Sequence, residues 1–155
     1  MSFMKITTNR LLLEPCTQES FMRHKDHYKM GPHIAGYLEQ LASDPALLGW
    51  GVWLVMNQVD GQVVGDIGFK GKPVDRTVEV GYGILPSAQG KGVATEAVRA
   101  LLDWAFATGQ VDVVKADCTD TNGASIRVLE KLGMTRTAAK DGMLYWEVSR
   151  HISTQ

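Results

Sequence analysis

Cysteine is nearly absent. Cys16 and Cys118 are the only two among 155 residues. They can pair, but reduced thiols suit a cytoplasmic chain better. An excess of one charge is missing as well. Sixteen Lys and Arg stand against seventeen Asp and Glu, a net charge of −1, so no global basic field points to nucleic acid. The opening stretch MSFMKITTNR has no apolar core of signal-peptide length. The longest apolar run, LLGWGVWLVM, is about half of what a membrane span needs. No repeat or low-complexity linker divides the chain. These absences predict a cytoplasmic protein of one domain over residues 1–155, with neither nucleic acid nor a membrane as partner. The chain is long enough for a sizeable core, and its 45% hydrophobic and 21% charged residues are ordinary for a globular protein.

What is present is an alternation of strand and helix patterns. RLLLEP (Arg10–Pro15) reads as a strand. A helix is expected from Thr17 to about Tyr28, with Thr17 as N-cap and Glu19 in the first turn. Ser20 stands where a capping box wants Glu or Gln, so that start signal is incomplete. A second helix is expected from Pro32 to about Ala42. Gly51–Asn57 and Val63–Lys70 read as strands joined at the Asp60-Gly61 turn. In TVEVGYGIL, Val78, Val80, Tyr82 and Ile84 alternate with Glu79, Gly81 and Gly83. A long apolar helix then runs to Gly109. A strand (Val111–Cys118), a short helix (Asn122–Gly133) and two final strands around Asp141-Gly142 complete the order. The fold class is mixed α/β, with about seven strands and about four helices.

The stretch QGKGVATEAV (Gln89–Val98) joins a strand to that long helix. The first N–H groups of a helix lack internal partners, and the helix dipole adds positive charge there. Gly90 and Gly92 allow close approach of an anion to the backbone, and Lys91 adds a cation. A turn that needs glycine only for its angles is the alternative. Two phosphate motifs fail. The P-loop requires Ser or Thr after the lysine, where Gly92 stands. The dinucleotide fingerprint is not completed by GYGILP.

Gln89, Gly92 and Ala94 form Q-x-x-G-x-A after a strand ending Ile84-Leu85-Pro86. Here the chain resembles the GNAT superfamily of acetyl-CoA-dependent N-acetyltransferases. EVGYGILPSAQGKGVATEAVRALLDWAF is especially similar to the branch containing ribosomal-protein N-terminal acetyltransferases. DTNGASIRVLEKLGM resembles that branch's N-x-x-S-x-x-x-L-x-K-x-G-F segment, with Met134 in place of Phe. TTNRLLLEP resembles its first strand, with Glu14 where a basic residue is common. The resemblance covers nearly the whole chain in the same element order.

The resemblance implies a GNAT-like fold with a central, mostly antiparallel sheet splayed at the cofactor site. It implies acetyl-CoA as donor, without a metal. The pyrophosphate is expected on Gln89, Gly90, Lys91, Gly92, Val93, Ala94 and Thr95. The pantetheine arm is expected on main-chain groups of Ile84 and Leu85, with Asn122 touching it from the other side unless it only caps a helix. Acetyl transfer needs a neutral amine, donors for the oxyanion and a partner for the thiolate. Strand N–H groups near Leu85 are candidates for the oxyanion. Glu79 is the candidate base, or else a carboxylate in a surface ion pair. Ser125 is the candidate thiolate partner, or else a first-turn serine bonding backbone; Tyr145 is a distant substitute. Cys118 fits a buried structural thiol better than a nucleophile. His24, His27 and His33 have no metal spacing and are open to solvated or substrate-facing roles. Trp50 and Trp53 fit the core or a pocket wall. The acceptor is expected to be a small-molecule amine or a peptide N-terminus, and exposed strand edges leave room for a homodimer. Two other classes stay open: a non-catalytic acyl-CoA-binding or sensor domain, and a nucleotide-binding module.

Overall fold

The computed structural model describes residues 4–85 and 88–150. Pro86, expected to end the strand before the glycine turn, lies with Ser87 outside the described residues. The elements are β1 (Ile6–Thr7), β2 (Leu11–Pro15), α1 (Gln18–His24), α2 (Pro32–Ser43), β3 (Val52–Asn57), β4 (Val63–Phe69), β5 (Thr77–Ile84), α3 (Val93–Ala107), β6 (Val113–Thr119), α4 (Gly123–Lys131), β7 (Thr135–Lys140) and β8 (Met143–Ser149). The four helices agree with the sequence reading. The sheet has eight strands because the two-residue β1 pairs with β2, too short a segment to show a period.

Two local readings are corrected. The capping box of α1 does close: Ser20 N–H donates to Thr17 Oγ1 at 3.2 Å, and Thr17 N–H donates to Ser20 Oγ at 2.8 Å. A serine reaches because it is fully buried against the strand end. The helix stops at His24, short of Tyr28. The chain turns there, which brings the Tyr28 hydroxyl to Asp66 on β4.

The sheet order is β1-β2-β3-β4-β5-β6-β8-β7. Every neighbouring pair is antiparallel except β5 with β6. Residues 52–56 of β3 are all buried, as expected of a strand covered on both faces. Helix α3 buries Val93, Ala97, Val98, Leu101, Leu102 and Ala105 along one stripe. Its Trp104 packs against Trp50 and Trp53, with ring centroids 4.8 and 5.2 Å away. Tyr28, Ile34 and Tyr37, from α1–α2, are buried elsewhere in the same core. Among the described residues no helix is long and apolar enough to cross a membrane.

One irregularity in the sheet positions the candidate site. β5 pairs with β6 only from Thr77↔Val113 to Glu79↔Lys115. Beyond Glu79, β5 continues to Ile84 beside β4 and β6 continues to Thr119 beside β8. The sheet therefore forks, and main-chain groups on the inner edges of the fork have no ladder partner.

Candidate active site

The turn after β5 leads into α3. Gly92, the N-cap, has φ +79° and provides no side-chain cap. That left-handed backbone favours glycine. The first-turn N–H groups of Val93, Ala94 and Thr95 are left without intrahelical acceptors. The turn is braced from outside. Arg10 Nη1 donates to the Lys91 carbonyl at 2.9 Å, and Arg10 Nε donates to Glu96 Oε1 at 2.7 Å. Gln89 Nε2 donates to the Ile84 carbonyl at 2.8 Å, which ties the turn back to the strand.

Glu96 gives this brace a pH signature. Partial burial works against its charge, yet hydrogen bonds from the Thr8 hydroxyl and from the Arg10 main chain and guanidinium hold its carboxyl below the ordinary range. A depressed folded value means the stabilisation is full above the unfolded value and is lost as pH falls through the folded one. Thermal melts of wild type and Glu96→Gln should therefore differ by a constant gap near neutrality. The gap should close as pH falls from about 4.3 downward. A gap that persists in acid would mean the brace does not depend on the carboxylate charge.

A cavity of about 610 Å³ opens beside this turn. Its lining includes Ile84, Gln89, Gly90, Gly92, Val93, Ala94, Thr95, Asn122 and Ser125. Leu85, Lys91 and Glu79 are not among its lining residues. Asn122 does cap α4: its Oδ1 accepts from Ser125 N–H at 3.0 Å, leaving its amide NH₂ free for a ligand. Leu85 uses both main-chain groups within the protein, N–H to Val64 O at 2.8 Å and carbonyl from Ala88 N at 2.9 Å. By ladder alternation, the main-chain groups that face the fork belong to Tyr82 and Ile84. The strand donors expected near Leu85 thus lie one residue earlier. The Ile84 carbonyl is held by Gln89.

Three polar lining residues were not singled out as site residues from the sequence. Arg127 and Lys131 stand one helical turn apart on α4 and bring two cations to this cavity. Their signal was the i,i+4 spacing within a segment read only for its start and end. Tyr82 is the third. Its alternation marked it as an inward residue of β5, and a pattern cannot show a missing partner. Burial pushes its phenol up, and the neighbouring Ser125 hydroxyl offsets this in part. The Tyr82 hydroxyl is buried and makes no hydrogen bond among the described residues.

A second cavity of about 660 Å³ lies between α2 and the β4–β5 pair. Tyr82 and Gly83 line both cavities. A Cβ at Gly83 would meet nothing within 4 Å, so no packing demands glycine there. Its missing side chain leaves open space where both cavities have their lining. Opposite Gly83 on β4 stands Asp66. Its Oδ2 accepts from the Tyr28 hydroxyl at 2.6 Å, and its Oδ1 lies 2.9 Å from His33 Nε2. His33 is thus the one of the three candidate histidines shown to face the cavity.

Glu79 sits at the apex of the fork, with its carboxylate 2.6 Å from Lys70 Nζ. Four residues of strand separate it from Gly83, about 13 Å. It is not among the lining residues of the second cavity, whereas Lys70 is. Cys16 and Cys118 are free and buried, and burial pushes the Cys16 thiol up to about 11. Among the described residues, no group of three His, Cys, Asp or Glu side chains is placed to hold a metal ion.

The fork thus sets a cavity beside free helix N–H groups and the cations of Arg127 and Lys131, a setting suited to an anionic ligand. The family model described as Acetyltransferase (GNAT) domain matches residues 8–135, and the chain belongs to this acetyltransferase family. The uncharacterized N-acetyltransferase YjdG of Bacillus subtilis is 31% identical over 101 residues, which is 64% of this chain and 60% of that protein. The chain spans 52% of a second relative, YkkB of the same organism, at 36% identity over 56% of its own length. A GNAT-family acetyltransferase from Bacillus anthracis superposes with a TM-score of 0.72, 21% identity, and coverage of 95% of this chain and 99% of its own. RimL, a ribosomal L7/L12 alpha-N-protein acetyltransferase solved with coenzyme A, gives 0.74 at 16% identity, covering 94% of this chain and 97% of its own. At such identities these structures speak for the shared fold.

Proposed function

We propose that the protein moves the acetyl group of acetyl-CoA to a primary amine by direct attack in a ternary complex. The observation that carries this is the meeting of the two cavities at Tyr82 and Gly83, one beside the glycine turn and one beyond it. Donor and acceptor would approach from opposite sides. On the donor side, the N–H groups of Gly90 to Thr95, with Lys91, Arg127 and Lys131, would hold the pyrophosphate. The arm would run along the open edge of β5 to Asn122.

The acceptor enters as an ammonium and loses one proton to become nucleophilic. Its nitrogen then bonds to the thioester carbonyl carbon. The oxyanion that develops is stabilised by strand N–H groups at Tyr82 or Ile84. The C–S bond breaks, the second proton leaves the nitrogen, and the coenzyme thiolate takes up a proton. Ser125 would hydrogen-bond that thiolate, with the unpartnered Tyr82 hydroxyl beside it. Glu79 would accept the first proton through a chain of waters along the strand face of Gly81 and Gly83. Its ion pair with Lys70 favours a second reading, an acyl-CoA sensor without turnover.

Calorimetric titration with acetyl-CoA, CoA and ATP, followed by thiol release over an amine panel, tests the proposal. Saturable binding of both coenzymes with turnover of an amine is the expected result. Binding without turnover by any amine gives the sensor reading. A folded protein that binds neither coenzyme overturns both.

A further inference from the structure

Among the described residues, the second cavity holds one carboxylate that has no lysine or arginine partner. Asp66 is the one carboxylate among its lining residues, and its side chain is only 17% exposed. The partners of Asp66 are a phenol and an imidazole. Among the described residues, no lysine or arginine pairs with it; Lys70, on the same cavity, is engaged with Glu79. A carboxylate withdrawn from water is costly unless a cation or enough donors complete it. Two oxygens offer about four lone-pair directions, and two are taken. The remaining directions are open to a further donor.

The surroundings describe that ligand. Tyr37, Leu47, Trp50 and Phe69 line the cavity, which fits an apolar body of aromatic size. Tyr37 also carries a buried hydroxyl with no partner among the described residues. Asp66 and Gly83 are paired across the ladder, so a group held on Asp66 lies about one strand spacing from Gly83, which lines both cavities. The bland role for Asp66 is a latch that ties the α1–α2 segment to β4 through Tyr28 and His33.

We propose that Asp66, oriented by Tyr28 and His33, binds the acceptor's ammonium group, and that the acceptor is a primary amine on an apolar, uncharged body. This rests on the acetyl-transfer reading above only in naming the ligand an acceptor. The ion pair itself is a matter of binding. An acceptor carrying a carboxylate next to the amine meets Asp66 as a like charge and is disfavoured.

The experiment titrates 2-phenylethylamine, methylamine and 2-phenylethanol into wild type and Asp66→Asn by calorimetry, with and without saturating CoA. Asparagine keeps the shape and an oxygen for Tyr28 but removes the charge. Wild type should bind 2-phenylethylamine about tenfold or more tightly than either other probe. Asp66→Asn should lose that advantage over 2-phenylethanol while its affinity for the alcohol stays close to wild type. Equal loss of amine and alcohol is the latch and overturns the anchor. So does an unchanged amine affinity in Asp66→Asn, or a wild type that binds none of the probes. Tyr28→Phe, which keeps the carboxylate, should retain a preference for the amine over the alcohol; its loss there too overturns the anchor. Coenzyme binding is read separately. Amine binding without acetyl-CoA binding leaves the anchor standing and overturns acetyl transfer; acetyl-CoA turnover of amines with no dependence on Asp66 does the reverse.

Discussion

Gly92→Glu is expected to abolish measurable acetyl-CoA binding while the protein stays folded. Gly92 sits at φ +79° as the N-cap of α3. A side chain there strains the backbone by about 1–2 kcal/mol. An added Cβ meets only Arg10 Nη2, at 3.4 Å, so space does not forbid the variant. The glutamate charge would stand where the pyrophosphate is proposed to lie. Two like charges about 4 Å apart repel by about 4 kcal/mol at an effective dielectric of about 20. A loss of about 100-fold in affinity, about 2.7 kcal/mol, is therefore the least to expect. Gly92→Ala separates strain from charge. It carries the same backbone cost without the carboxylate and should weaken binding severalfold at most. Calorimetry with circular dichroism as the folding control decides it. Wild-type affinity in Gly92→Glu would move the phosphates off this turn.

The second large effect is on stability. Trp53→Ala should destabilise the fold by about 3–5 kcal/mol, as expected for emptying a fully buried aromatic site. Trp53 is 0% exposed and packs edge-on to Trp104. Its Nε1 donates to the Gly49 carbonyl at 2.8 Å, an acceptor the variant leaves bare. At about 2–4 °C per kcal/mol for a chain of this size, the midpoint should fall by about 6–20 °C. Trp53→Phe keeps an aromatic ring and loses the N–H, so its drop should be smaller. A fall of only a degree or two in Trp53→Ala, measured by calorimetric melting, would show that the cluster around Trp104 repacks.

Much of the architecture was legible from local pattern. The alternation in TVEVGYGIL, the stripe from Val93 to Ala105 and the glycines at helix ends are short-range signals, each set by one element's own geometry. The turn at Gln89–Thr95 was legible for the same reason. A helix start offers its N–H groups whatever the rest of the chain does. For Asn122 the residue type and spacing left a cap and a cofactor contact both open, and the structure shows the cap.

The second cavity was not legible. Asp66 lies 33 residues from His33 and 38 from Tyr28, and no period links them. They meet because α1 ends at His24 and the chain turns back over β4. The partner of Glu79 was equally hidden. The sequence left it between base and surface ion pair, and only the β4–β5 register brings Lys70 to it. Arg127 and Lys131 were visible as charges, but the cavity they face exists only once α4 is set beside the turn.

By itself the sequence determined the order of elements, the family and the glycine turn at the start of α3, because each depends on contiguous residues and their backbone preferences. The tertiary structure decided where β5 parts from β6, which strand groups are left free, and which carboxylate stands across from Gly83. Those are properties of ladder register and packing between distant segments, and no local preference encodes them.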